Sequence, residues 1–405
     1  MPSTRPPSPG LSTGPQMSQP GQLQPGQTVK VALILPLTGD YAEVGQAMQR
    51  AAEIALFDVG DKRVQLVPLD DKGTPEGAAD AANQAIAQNV NLILGPLLAG
   101  SVRAVRDRAA TASINVVAFS TDATVAGGNV YLLSFLPEQQ VARIMAQAAQ
   151  QNLKRIAVLA PQTPYGTQVV KHVQDLAPRF TMSVARVAYY DVNAKDYSKE
   201  IRAFADYDRR HGAALAARSR AQSQANDEAS RRAAQRMKRV DAIGELDFDA
   251  VLIPEGGQRL QLVASLLNFY EVDPGKIRYL GMGQWDDPAL KREPSVKGAW
   301  FAAPPPEARS RFVEKYRAAH KTEPPRIATL AYDAVALAAV LARNPNGPDF
   351  SAAALTNERG FSGLDGIFRF RTDGLSERGL AVLQIERDDF KVISPAPTTF
   401  DMPIN

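Results

Sequence analysis

The sequence predicts an α/β protein made of two doubly wound parallel-sheet lobes. Three observations carry that expectation. Short apolar, β-branched runs alternate with stretches of helical periodicity from Thr28 onward. These runs are apolar nearly throughout, as strands covered on both faces must be. The alternation also occurs as two successive series, with a late return to strands, which suggests a chain that crosses between lobes more than once.

Taken in order, residues 1–27 hold seven prolines and four glycines with a single charge, Arg5. Such a segment has too little apolar surface to order itself and reads as a linker. Fully extended it would span roughly 80 Å, at about 3.1 Å per residue. Val29 to Leu35 is the first strand, closed by Pro36-Leu-Thr-Gly39. A helix follows over 41–58, where Val44, Ala47, Met48, Ala51 and Ala55 recur at helical spacing. Strand 64–69, an alanine-rich helix 75–88 with proline in its first turn, strand 91–94, helix 102–113 and strand 115–119 complete this series.

The second series begins after Tyr131–Phe135 with helix 137–151, strand 155–160, helix 166–176, strand 184–190 and one long helix from about Tyr197. Strand 249–254, helix 258–270, strand 277–281, a strand at 298–302 and helices 307–319 and 327–342 follow. The terminus reads as a hairpin, 366–371 and 379–386, around a Thr-Asp-Gly turn. One segment departs from the rhythm. Between Arg209 and Arg239 stand nine Arg or Lys residues against two acids, Asp227 and Glu228. Its composition favours helix with little to bury, a solvated basic insertion at about 205–243. A docking arm for an acidic partner or an anionic envelope polymer is the functional counterpart of that reading.

Composition narrows the function. Over 405 residues the net charge is only +3, which by itself gives no reason to expect nucleic acid. No run of about 18 apolar residues is present to span a membrane. Cysteine is absent, so thiol chemistry and disulfides are excluded. His172, His211 and His320 are scattered without metal-ligand spacing. Neither a nucleophile elbow nor a phosphate-binding loop occurs. Asp70 and Asp71 are neighbours on a strand, so their side chains diverge. The expectation is a protein that is not an enzyme and holds no metal or cofactor.

Five strand-end stretches are suited to a ligand, because helix N-termini there present unpaired N–H groups. They are Pro36–Gly39 with Thr38, Gly95–Ser101 with Ser101, Ser120-Thr121-Asp122-Ala-Thr124, Pro164-Tyr165-Gly166, and Glu255-Gly-Gly-Gln258. Caps and turns explain any one of them; their convergence on one cleft would not be so explained.

Val31–Gly39, Gly45-Gln-Ala47, Asp70-Asp71, Leu94-Gly-Pro96, Phe119–Thr124, Tyr165-Gly166 and the closing Gly366–Phe370 hairpin resemble the type I periplasmic binding protein family, typified by branched-chain amino-acid receptors. The likeness covers nearly everything from Thr28. It implies two lobes closing by hinge motion over a small molecule through three crossings, expected near Ser134, Gly283 and Gly360. The lobes would be 28–134 with 285–360, and 135–284 with 361–405. Receptors of this family place a serine four residues after the glycine of Gly-Pro, where this chain has Ala99, and often an acid near 283–285, where it has Gln284 and Trp285. These last two join the candidate ligand-binding residues. Losing one hydrogen bond to a charged group costs roughly 1.5–3 kcal/mol. Losing both would weaken amino-acid binding by roughly two to four orders of magnitude.

The basic insertion, proline-rich leader and altered cleft are similar to the penicillin-binding-protein activator (LpoA-like) branch. That similarity implies an envelope regulator of a peptidoglycan synthase, located in the periplasm and tethered to the outer membrane as a lipoprotein. The alternative is an importer's solute-binding protein, partnered by a permease, for a branched-chain-type amino acid or another small polar solute. Met1 opens no recognisable export signal. An envelope address therefore implies that the signal, and a lipid anchor as the only membrane contact, were removed upstream.

Overall fold

A computed structural model describes residues 28–400 except 225–226, 229–230, 233–234 and 236–241. The linker 1–27 and much of the second half of the basic insertion lie outside the described residues.

The first lobe is built on β1 (Val29–Leu35), β2 (Val64–Asp70), β3 (Leu92–Leu94), β4 (Asn115–Ala118) and β5 (Val130–Leu132). They form a parallel sheet of order β2-β1-β3-β4-β5. Between them run α1 (Ala42–Val59), α2 (Pro75–Ala87) and α3 (Ala99–Thr111). Ala32 and Ile34 face α2 and α3, while Val31, Leu33 and Leu35 face α1. This two-residue alternation, apolar on both faces, is why β1 reads as one unbroken hydrophobic run. Gly45 lets α1 pass close over the end of β1, since a Cβ there would lie 2.0 Å from the Pro36 carbonyl oxygen.

The second lobe repeats the plan with α4 (Pro137–Gln150), β6 (Arg155–Pro161), α5 (Pro164–Leu176), β7 (Ser183–Tyr190), α6 (Ser198–Phe204) and α7 (Tyr207–Ser223). It continues with β8 (Ala250–Leu252), α8 (Gly257–Phe269), β9 (Arg278–Gly281) and β10 (Trp300–Ala303). The chain then returns to the first lobe with α9 (Pro306–His320) and α10 (Ala328–Ala342). There α10 covers the sheet beside α1. A small antiparallel sheet follows, β11 (Phe361–Gly363), β12 (Gly366–Phe370) and β13 (Ser376–Arg378). It packs Phe368 and Phe370 into the first lobe's core. Finally β14 (Ala381–Glu386) and β15 (Asp389–Ser394) complete the second lobe's sheet, of order β15-β14-β10-β9-β8-β6-β7.

Strand pairing corrects several sequence expectations. β10 pairs with β9 and β14, so residues 285–303 belong to the second lobe and the chain crosses at Pro304-Pro305, not at Gly283. Leu132 donates its N–H to the Gly374 carbonyl at 2.7 Å, tying β11–β13 to the first lobe. The last crossing is therefore Gly379-Leu380, not Gly360. The expected hairpin is split for the same reason: β12 pairs with β13, and the strand after 379 leaves for the other sheet. The long helix from Tyr197 is broken at Ala205-Asp206, where Asp206 takes a left-handed φ of 48°.

Candidate functional site

The strand-end loops of the two lobes face each other. In the first lobe, Asp122 accepts the Thr124 N–H at 3.0 Å and its hydroxyl at 2.6 Å, and pairs with Arg103 at 2.8 Å. That turn holds Thr121 and Thr124 exposed toward the gap. In the second lobe, the Thr163 hydroxyl caps α5 by accepting the Gly166 N–H at 3.1 Å, with Pro164 in the first turn. The cap fixes Tyr165, whose hydroxyl reaches Gln284 Oε1 at 3.4 Å and Met282 Sδ at 3.6 Å. Burial, reinforced by Glu255, pushes the Tyr165 phenol well above its ordinary range, so it remains a neutral donor.

Across the mouth, Thr121, Asp122 and Thr124 oppose Pro164, Tyr165, Thr167 and Lys171 over an open cleft of about 780 Å³. Behind it lies an inner cavity of about 230 Å³ at the crossings, bordered by Thr121, Tyr165 and Gln284. Phe135, Leu136, Ile327, Leu330 and Leu380 make its walls largely apolar, and Arg326 and Arg378 also line it. The first turn of α4 ties the cavity wall together. Gln140 Oε1 accepts the Gly283 N–H at 2.6 Å, and Gln139 Oε1 accepts the Arg378 N–H at 3.1 Å.

Thr121, Thr124, Tyr165 and Gln284 thus come together, and the other six predicted residues line neither space. Thr38 donates its hydroxyl to Asp70 at 2.7 Å. Ser101 is buried and donates to the Thr74 carbonyl at 3.3 Å. Ser120, also buried, accepts the Asp122 N–H at 3.2 Å. Glu255 turns to the Tyr190 hydroxyl at 2.8 Å and to Arg259 at 3.0 Å. Gln258 stands exposed on the first turn of α8. Trp285 is fully buried in the second lobe's core, its Nε1 donating to the Glu255 carbonyl at 2.9 Å. Its indole occupies the space that a Cβ on Gly281 would need, 2.1 Å away. Trp285 is a core residue, not a cleft residue.

Sequence reasoning missed the charged cluster beside the inner cavity. Arg326 pairs with Asp286 at 3.1 Å and Asp365 at 2.6 Å. Arg378 faces Asp333 at 3.7 Å, and Arg309 faces Asp286 at 3.8 Å. Burial raises the Asp286 and Asp333 carboxyls above the ordinary range, Asp333 being pushed further by Asp365. A signal was available: Asp333 is the one charged residue among the buried positions of α10, and a buried acid demands a buried cationic partner.

Comparison with known proteins adds three findings. A family profile described as periplasmic binding protein matches residues 28–390. Among curated proteins, Leu/Ile/Val-binding protein BraC3 of Rhizobium johnstonii is 28% identical over 149 residues, 34% of this chain and 41% of that protein. Penicillin-binding protein activator LpoA of Vibrio cholerae is 24% identical over 163 residues, 38% of this chain and 26% of that protein. The matches thus span less than half of either relative. A crystal structure from Rhodospirillum rubrum superposes with a TM-score of 0.71 at 16% identity, covering 90% of this chain and 100% of that one.

Proposed function

The chain belongs to the periplasmic binding protein family, and we propose that it is a non-enzymatic envelope protein of the penicillin-binding-protein activator type, regulating a peptidoglycan synthase while its cleft holds a small ligand. One observation carries the choice of branch. Among the described residues the cleft has no free carboxylate placed for an amino acid's ammonium, because Asp122 pairs with Arg103, Glu255 is held by Tyr190 and Arg259, and Asp286 by Arg326. Ala99, where amino-acid receptors place a serine, offers no hydroxyl. The match to the Vibrio cholerae activator supports the same direction.

In this reading the basic insertion is the docking arm. Its first helix, α7, is rooted by Arg210, which is buried and donates to the Glu271 carbonyl at 2.9 Å. The test is a pull-down with purified peptidoglycan synthases, paired with polymerisation assays. Stimulated polymer synthesis is expected, and deletion of residues 209–239 should abolish capture. No capture and no stimulation by the intact chain would sink the activator role; capture without the segment would sink its docking role alone.

Solute import is the second reading, favoured by the inner cavity itself, and it would place the protein beside a permease. A panel of amino acids and small acids should then raise thermal stability, by about 2.7 kcal/mol for a ligand at a hundred times its Kd.

A further inference from the structure

We propose that a groove on the far side of the inner cavity's wall is a docking site for an acidic, partly apolar segment of a partner protein, held by Arg143, Arg179 and Arg371. The proposal goes beyond the activator reading, since it concerns a face separate from both the cleft and the basic insertion.

The groove encloses about 420 Å³, within the roughly 300–1,000 Å³ of ordinary ligand pockets. Leu136, Gln139, Arg378 and Leu380 line both it and the inner cavity, and so form the wall between them. Its opening is not that of the cleft. Tyr165 and Thr167 meet the cleft at the first turn of α5, whereas Leu176 meets the groove at the last, roughly 16 Å away at about 1.5 Å per residue. The walls come from both lobes. α4 and the end of α5 belong to the second lobe, while Arg369, Arg371, Leu375 and Glu377 stand on the small sheet tied to the first. Gln139 joins the two by donating to the Ser376 carbonyl and accepting the Arg378 N–H at 3.1 Å.

Charge selects the occupant. Among the described residues five arginines line the groove against two glutamates. Arg378 faces Asp333, Arg369 pairs with Glu377 at 2.7 Å, and Arg371 pairs with Asp373. That leaves Arg143 and Arg179, without acidic partners among the described residues, against Glu138. Both cations are within a visitor's reach. Arg179 is exposed. Arg143 donates Nε to the Leu380 carbonyl at 2.8 Å and Nη2 to the Ser394 hydroxyl at 2.5 Å, while Nη1 has no protein acceptor and is not sealed from solvent. Leu176, Phe180, Leu375 and Phe400 give the same groove apolar surface. A chain of acids and aliphatic side chains uses both features, whereas a free anion uses only one. Reaching from Arg179 to Arg371, such a segment touches both lobes and holds them at one angle.

The experiment is fluorescence-anisotropy titration of the full chain with a short acetylated, amidated peptide of alternating aspartate and leucine. Replacing its aspartates by asparagine, or its leucines by serine, should each weaken binding at least about tenfold. Arg179→Glu, at an exposed position with no ion pair to lose, should weaken it about fivefold. Ala142→Trp, which fills the groove, should abolish it. Equal binding of the aspartate and asparagine peptides would overturn the charge selection, and binding that survives both variants would overturn the location. A chain ended at Phe400 is the control: peptide that binds it and not the full chain would show residues 401–405 to be the occupant and overturn the partner. The absence of cysteine lets spin labels be placed on each lobe alone, at Asp107→Cys and Ser265→Cys. The peptide should narrow the distance between them to one value, and an unchanged distribution would overturn the bridging of the lobes. No binding by any peptide would sink the groove as a docking site, and synthase capture retained in the same protein would leave the activator reading standing.

Discussion

Asp333 shows how one side chain couples stability to pH. It is fully buried on α10, accepts the Leu364 N–H at 2.7 Å, and its carboxyl is raised above the ordinary range by burial and by Asp365, against the pull of Arg378. In the unfolded chain an aspartate titrates near about 3.9. Between that value and the higher folded one, the folded state binds more protons than the unfolded state. Its contribution to stability is complete below about pH 4 and declines as pH rises toward neutrality. Thermal melts across about pH 5 to 7 should fall more steeply for the wild type than for Asp333→Asn. Parallel slopes would show that Asp333 does not titrate in that range. The residue-level lesson of Trp285 is complementary: a large aromatic beside a strand end fills the core once Gly281 vacates the space for it.

At the scale of the element, the decisive part is the first turn of α5. Thr163 caps it, and Tyr165 is aimed from it toward Gln284. Thr163→Ala should cost about 1 kcal/mol in urea unfolding. It should also weaken any cleft ligand in titration, whereas a cap unrelated to the site would lower stability alone. The elements themselves were legible in the sequence. Apolar runs such as β1 and β6, and helices with periodic alanine and valine, declare their class locally because each is covered on both faces or along one stripe. Partnership was less legible. Nothing within 298–303 tells that β10 pairs with β9 and β14, and neither Gly283 nor Gly360 sits at a crossing. The cleft was half visible for the same reason. Thr121, Thr124 and Tyr165 follow directly after strand ends, so their position follows from strand direction. Arg326 and Arg378 line the inner cavity from segments far apart in sequence, which only the tertiary fold brings together.

For the whole molecule, the discontinuity of both lobes sets what can be removed. The first sheet is covered by α10, and by Phe368 and Phe370 of the small sheet, all of which lie beyond residue 303. A chain ended at Ala303 would bare that apolar face, and it would strip the second sheet of β14 and β15 as well. We expect such a chain to aggregate or to lack a cooperative melt, measured by size exclusion and circular dichroism. A soluble monomer with a sharp transition would show that one lobe folds alone.

The placement of β14 between β10 and β15 has a consequence in time as well as in space. A ribosome delivers residues 381–394 long after Arg155, yet they sit inside the sheet that Arg155 begins. The second sheet cannot be completed until they have been made. Until then Trp300–Ala303 has β9 on one side and an open edge on the other, where β14 will pair.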